Sequence, residues 1–159
     1  MAEHRLVRVP DLREAGDILD GPLSGGRVPP TYIPMKNAIF YGLAAAYADE
    51  TGAEAIIGGH NKDDKRVFED ASDRFFASLE SAFRVSTPRL AKVEIRRPLK
   101  RFTKPEVVLL AAKLGVPLDL TWSCHAGGAT PCRRCEGCLG RAAAFNEAGV
   151  VDPLSLKKV

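Results

Sequence analysis

Three observations predict an α/β fold with a parallel sheet and a cysteine-rich C-terminal knuckle. Short apolar stretches of strand length alternate with longer stretches of helical periodicity, the order that a parallel sheet with crossover helices requires. Of the 159 residues 45% are hydrophobic, enough for one domain with a core of its own. All four cysteines, Cys124, Cys132, Cys135 and Cys138, fall in one segment spaced C-x7-C-x2-C-x2-C. No apolar run is long enough to span a bilayer. The 23 Lys and Arg against 20 Asp and Glu leave a net charge of +3, too thin to argue for nucleic acid.

Arg5 to Val9 (RLVRV) alternates and predicts a short strand. Asp11 to Ile18 reads as a short polar helix or turn, followed by a Gly- and Pro-rich loop from Asp20 to Pro30. Asn37 to Thr51 has helical spacing, with Ala38, Leu43, Ala44, Tyr47 and Ala48 as its apolar positions and Gly52 as its stop. Ala53 to Gly58 predicts a buried strand. Ser72 to Phe83 predicts an amphipathic helix that turns Phe75, Phe76, Leu79 and Phe83 inward. Lys92 to Arg96 is a strand ended by Pro98. Thr103-x-x-Glu106 is a capping box that opens a helix from Pro105 to Leu114, closed by Gly115. The cysteine segment and a helix from Leu139 to Glu147 complete the chain. Residues 1–120 are thus expected to form the α/β portion and 121–159 the knuckle with its helix.

Two C-x2-C steps sharing Cys135 bring three thiols onto one tight turn, and Cys124 returns to complete a fourfold set. Zinc suits four soft thiolates in a closed site. An iron–sulfur cluster is the competing metal, because C-x2-C-x2-C also serves such clusters. Disulfides fit poorly, since the spacing is too tight for convenient pairing. His125 adjoins the first cysteine, but four thiols already complete a shell. Thiolates held by a metal suit a reducing compartment.

Around the cysteines the chain reads Thr121-Trp-Ser-Cys124, Gly127-Gly128, Pro131-Cys-Arg-Arg-Cys-Glu-Gly-Cys138, then Arg141 and Ala144-Phe145. Upstream stand Ile33-Pro-Met-Lys-Asn-Ala-Ile-Phe40, Gly59-His-Asn-Lys-Asp-Asp64, Phe68-Glu-Asp70, Arg97-Pro-Leu99, Thr103-Lys-x-Glu106 and Leu114-Gly-Val-Pro117. In content, order and spacing these resemble the 7-cyano-7-deazaguanine synthase (QueC) family, in its archaeal-like form, from Ile33 to Phe145. The resemblance implies an adenine nucleotide alpha hydrolase-like fold, a doubly wound parallel sheet that is only partial in this chain. Residues 1–120 would then be the C-terminal portion of an ATP-pyrophosphatase-type domain. It also implies an ATP-dependent ligase that converts 7-carboxy-7-deazaguanine and ammonia to 7-cyano-7-deazaguanine (preQ0), on the route to queuosine and archaeosine in tRNA. ATP, Mg2+ and a structural zinc are the cofactors implied, in a cytoplasmic homo-oligomer with no membrane and no direct nucleic-acid contact.

One departure stands out. The family's pyrophosphate loop reads SGG-x-Asp-Ser after its first strand, whereas Ser24-Gly25-Gly26 here is followed by Arg27-Val28-Pro29 and is expected to be a loop without that role. In the sheet order implied by the resemblance, 3-2-1-4-5, the segments Arg5–Val9, Ala53–Gly58 and Lys92–Arg96 would be strands 3, 4 and 5, with strands 1 and 2 outside the sequence. Three expectations stay open: a separate chain carries the N-terminal half, these residues are a fragment of a longer protein, or the sheet has drifted to a new arrangement. These residues alone are expected neither to hydrolyse ATP nor to make preQ0. The alternative is a non-catalytic zinc-containing module that kept a deazaguanine pocket.

The resemblance and the strand-end location together place substrate-binding groups at Asn61, Asp63 and Asp70, since a carboxylate suits the N–H edge of a guanine-like base. A solvated charged loop competes evenly with a functional role for Asp64, and less so for Asp63 and Asp70 because of the strand-end location. Lys36, Asn37 and Lys104 are the candidates for the ATP phosphate side, although Asn at a helix start and a surface lysine need no such role. Cys124, Cys132, Cys135 and Cys138 are the metal ligands. Trp122 can simply pack on the knuckle, and Arg133, Arg134 and Arg141 can contact acidic groups or offset the thiolate charge.

Overall fold

The computed structural model describes residues 6–8, 33, 35–64, 68–126 and 128–155. The helix or turn expected over Asp11–Ile18 and the loop with Ser24-Gly25-Gly26 lie outside the described residues. Of the strand expected at Arg5–Val9, Leu6, Val7 and Arg8 are described and carry no strand pairing. A strand exists only against a neighbour, and among the described residues the sheet has two strands, both from later segments.

The described chain forms two compact units. One comprises the described residues up to Gly58 together with Asp64–Arg96, and the other comprises Gly59–Asp63 together with the described residues from Arg97 onward.

In the first unit, α1 (Lys36–Thr51) leads to β1 (Ala55–Ile57), then α2 (Asp73–Ser86) and β2 (Glu94–Arg96). The strands pair in parallel with Ala55 opposite Glu94, Ile56 opposite Ile95 and Ile57 opposite Arg96. Both are shorter than expected, for identifiable reasons. Gly52 stops α1 in the left-handed region at φ 71°, and the Ala53 N–H still bonds back to the Ala48 carbonyl, so the chain extends only from Ala55. Lys92 likewise belongs to the 3-10 turn Arg89–Lys92 that precedes β2. The Ile95 N–H, which faces away from β1, is taken by the Glu80 carboxylate of α2 at 2.7 Å. A side chain thus occupies an edge donor that would otherwise invite another strand.

Ser72 is the N-cap of α2 rather than its first residue, accepting from the Phe75 N–H at 3.1 Å. The helix buries Phe76 and Phe83, with Phe75 and Leu79 packed alongside, as the helical spacing predicts. On α1 the buried stripe is Tyr41, Ala45 and Ala48, whereas Leu43, one of the apolar positions at helical spacing, is exposed. This helix is apolar on more than one side, so periodicity alone leaves its inner face open. Tyr41 meets Phe76 edge-on at 5.0 Å, and Ile56, Val93 and Ile95 complete the core.

The second unit holds α3 (Lys104–Lys113), the 3-10 turn Leu118–Leu120, the cysteine segment and α4 (Glu136–Ala148). The Glu106 carboxylate accepts from both the N–H (2.7 Å) and the hydroxyl (2.9 Å) of Thr103, so the capping box forms where the sequence places it. Gly115 follows α3 at φ 67° and Gly149 closes α4 at φ 65°. α4 begins three residues earlier than the expected Leu139, because Cys135 is its N-cap and Cys138 lies inside its first turn. Val108 of α3 packs with Ala144 and Phe145 of α4. Among the described residues no helix is long and apolar enough to cross a membrane.

Candidate functional site

The sulfur atoms of Cys124, Cys132, Cys135 and Cys138 all lie within 4.8 Å of one another. Cys124 ends the extended segment after the Leu118–Leu120 turn, and the other three sit on the turn and first helical residues of α4. Backbone N–H groups point at the sulfurs. Ala126 and Cys132 donate to Cys124 at 3.4 and 3.3 Å, Cys135 to Cys132 at 3.4 Å, and His125 to Cys135 at 3.4 Å. Arg133 takes a left-handed conformation, φ 61°, which turns the chain sharply between Cys132 and Cys135.

These donors favour thiolate. The N–H groups of His125 and Cys138 bring Cys135 down to about 6, and those of Cys132 and Ala126 lower Cys124. Burial pushes Cys138 the other way, to about 12. Four thiols so close, with N–H donors already aimed at them, could hold a metal ion, whose charge favours loss of the remaining protons. Trp122 is half-exposed and donates its indole N–H to the Cys124 carbonyl at 3.0 Å, so it braces the segment's backbone.

Gly137 makes this geometry possible. A Cβ there would overlap the Ser123 carbonyl and crowd His125 Nε2, so only glycine lets α4 start against the Cys124 segment. Its reason is a close approach between segments distant in sequence, which local spacing does not reveal.

Arg141, one turn further along α4, locks the segment from outside. Its Nε and one terminal nitrogen grip the Asp152 carboxylate at 2.7 and 2.8 Å. The remaining N–H groups reach Thr121 Oγ1 at 2.7 Å, the Thr121 carbonyl at 3.4 Å and the Leu118 carbonyl at 3.2 Å. The guanidinium also lies 4.7 Å from the centre of the Phe145 ring. All five donors are thereby engaged. Hydrogen bonds from Arg141 hold the Asp152 carboxyl below its usual range. Of the two roles open to Arg141, contact with an acidic group is the one observed.

A cavity of about 530 Å³ opens in this unit beside the cysteines. Val107 and Val108 of α3 and Ala144 and Phe145 of α4 supply apolar lining, and Asn61, Lys104, His125 and Glu136 polar lining. Two expected site residues, Asn61 and Lys104, therefore meet on one cavity although 43 positions separate them in the chain. Asp63 joins them differently: it accepts the Lys104 backbone N–H at 2.8 Å, while its own N–H is held by Asn61 Oδ1 at 2.8 Å. One carboxylate oxygen of Asp63 thus serves the α3 N-terminus.

Lys36, Asn37 and Asp70 belong to the first unit. Asp70 is buried, its carboxylate accepts the Asn37 N–H at 3.4 Å, and its carbonyl accepts the Asn37 amide at 3.0 Å. Met35 precedes α1 in a left-handed conformation and offers no side-chain cap. Asp70 therefore supplies from another segment the acceptor that this helix end lacks.

Compared with known proteins, residues 10–149 match the family described as queuosine biosynthesis protein QueC. The chain belongs to the QueC family. A protein of Thermoplasma acidophilum named 7-cyano-7-deazaguanine synthase is 40% identical over 133 residues, 82% of this chain and 56% of that relative. One of the same name from a Sulfurovum species is 37% identical, over 89% of this chain and 64% of the relative. Another from Nostoc punctiforme is 35% identical, over 97% of this chain and 75% of the relative. The chain therefore spans between about half and three quarters of these relatives' lengths.

Glu136 and Gly137 lie between the cysteines of a C-x2-C step, where the sequence gives no hint that one lines a cavity and the other must lack a Cβ. The Arg141–Asp152 pair was equally hidden, because its partners are 11 residues apart and on different elements.

Proposed function

We propose that this chain supplies the metal-bearing, substrate-binding part of a 7-cyano-7-deazaguanine synthase. The observation that carries this reading is membership of the QueC family over residues 10–149, with relatives of that name aligned along most of the chain. In this reading residues 1–120 belong to an ATP-pyrophosphatase-type α/β domain and 121–159 to the knuckle. The reaction joins ammonia to 7-carboxy-7-deazaguanine. A carboxylate is a poor electrophile, so ATP first converts it to an acyl adenylate, and ammonia displaces AMP to give the amide. A second activation of the amide oxygen by ATP allows its loss and leaves the nitrile. Each step needs cations near the developing charge and a fixed base.

Zinc is the metal proposed for the four cysteines. Zinc–sulfur bonds of about 2.3 Å in a tetrahedron separate the sulfurs by about 3.8 Å. The 4.0 Å between the Cys132 and Cys138 sulfurs supports that fit. Four thiolates leave no open coordination position, so the ion would fasten the segment rather than activate water.

Ser24-Gly25-Gly26 lacks the Asp-Ser of a pyrophosphate loop, so in this reading that loop comes from sequence outside these 159 residues. The test mixes the chain with a segment carrying strand 1, the SGG-x-Asp-Ser loop and strand 2, then follows AMP and the nitrile by mass spectrometry. Product from the mixture alone is expected. Product from neither component nor the mixture would sink the synthase reading; product from the 159 residues alone would sink the proposed source of the loop.

A further inference from the structure

We propose that the cavity walled by α3 and α4 binds the deazaguanine base, with Glu136 reading its N–H edge and Lys104 facing its 7-carboxylate. The inference rests on the function proposed above and names the site at which that substrate sits. A volume of about 530 Å³ lies within the range typical of small-ligand pockets. The lining includes Val108 and Phe145, apolar side chains that suit the face of a flat heterocycle. The polar lining carries charges of both signs.

Elimination narrows the partners. Two permanently charged cations line the cavity among the described residues, Lys104 and Arg141. All five Arg141 donors are committed to Asp152, Thr121 and Leu118, which leaves Lys104 for an anionic ligand. The lining carboxylate is that of Glu136. Among the described residues neither the Lys104 ammonium nor the Glu136 carboxylate has a hydrogen-bond or ion-pair partner, although both border one cavity.

The substrate presents the matching pattern. A guanine-like ring offers its N1–H and exocyclic amine side by side, a donor pair that one carboxylate accepts together. The 7-carboxylate stands on the five-membered ring, away from that edge. An anion on one wall position and a cation on another therefore orient the base as well as hold it. The acids that the sequence favoured for the N–H edge have other tasks: Asp63 holds the α3 N-terminus and Asp70 holds Asn37.

Titration calorimetry of the full 159-residue chain with two ligands tests this: 7-carboxy-7-deazaguanine, and 7-cyano-7-deazaguanine, which lacks the anionic group. Glu136→Gln should weaken both by on the order of tenfold to a hundredfold, the value of a hydrogen bond to a charged group. Lys104→Met should weaken the carboxylate ligand to a similar degree and leave the nitrile unchanged, a split that mere structural damage would not produce. Ala111→Leu, which fills the cavity from α3 at a distance in sequence from the cysteines, should weaken both. Unaltered binding of both ligands by all three variants would overturn the inference and leave the synthase reading standing. Failure of the wild-type chain to bind either ligand would overturn the reading and the inference together.

Discussion

In the first unit Phe76 is 1% exposed among Tyr41, Ile56, Phe83, Val93 and Ile95, whereas in the second the buried apolar cluster around α3 and α4 reduces to Val108, Ala144 and Phe145. The second unit compensates with directional bonds. Its cysteine sulfurs gather within 4.8 Å, and the Arg141 side chain is only 9% exposed where it grips Asp152. Apolar burial is proportional to area and tolerant of detail. A metal set and a five-donor guanidinium instead require particular atoms at particular distances. The cavity of about 530 Å³ lies in the unit held by such bonds, which fix positions without filling the space between helices.

The largest expected effect separates the two units by metal. With zinc bound as proposed, chelation or Cys135→Ala should release it and melt the second unit, since structural zinc in small sites contributes on the order of 10 kcal/mol. Hydrogen exchange should then show lost protection in α4 and retained protection in α1 and α2. Equal loss in both units would erase the contrast. Next comes Phe76→Ala, expected to cost about 3–5 kcal/mol in the first unit through a buried cavity. Denaturant melting should register it, and metal content should not change. Metal loss in this variant would mean that the units do not stand on separate supports.

The smallest effect concerns Asp152. Asp152→Asn keeps one acceptor but removes the charge beneath Arg141, for a loss of about 2 kcal/mol at neutral pH. The pH dependence has a definite sign. Folding lowers the Asp152 pKa, so its contribution is complete above the ordinary Asp value of about 3.9 and fades as pH falls through the lower folded value. Wild-type and variant stabilities should therefore converge in acid. A difference that persists unchanged down to pH 2 would show that packing, not charge, sets the effect.

Much of this was legible from local patterns. The Thr103–Glu106 box, the Gly52 stop and the inward Phe76 and Phe83 each depend on neighbours within a few positions along the chain. The four cysteines were equally plain, because metal spacing is itself a short-range pattern. The exposed Leu43 shows where periodicity stops being informative, on a helix with apolar residues on more than one side. The strands expected at Ala53–Gly58 and Lys92–Arg96 shrink to Ala55–Ile57 and Glu94–Arg96, since a strand's length depends on its partner as well as its own residues.

The sequence by itself determined the alternation of helices and strands, the cysteine set and the family, because propensity, capping and motif spacing act over short distances in the chain. Only the tertiary structure decided the division of labour among the charged residues. Asp63 and Asp70 became helix-end acceptors, Arg141 a fully engaged lock, and Lys104 and Glu136 the opposite charges on one cavity. A carboxylate or guanidinium takes whichever partner the fold brings within about 3 Å, and that partner can lie anywhere in the sequence.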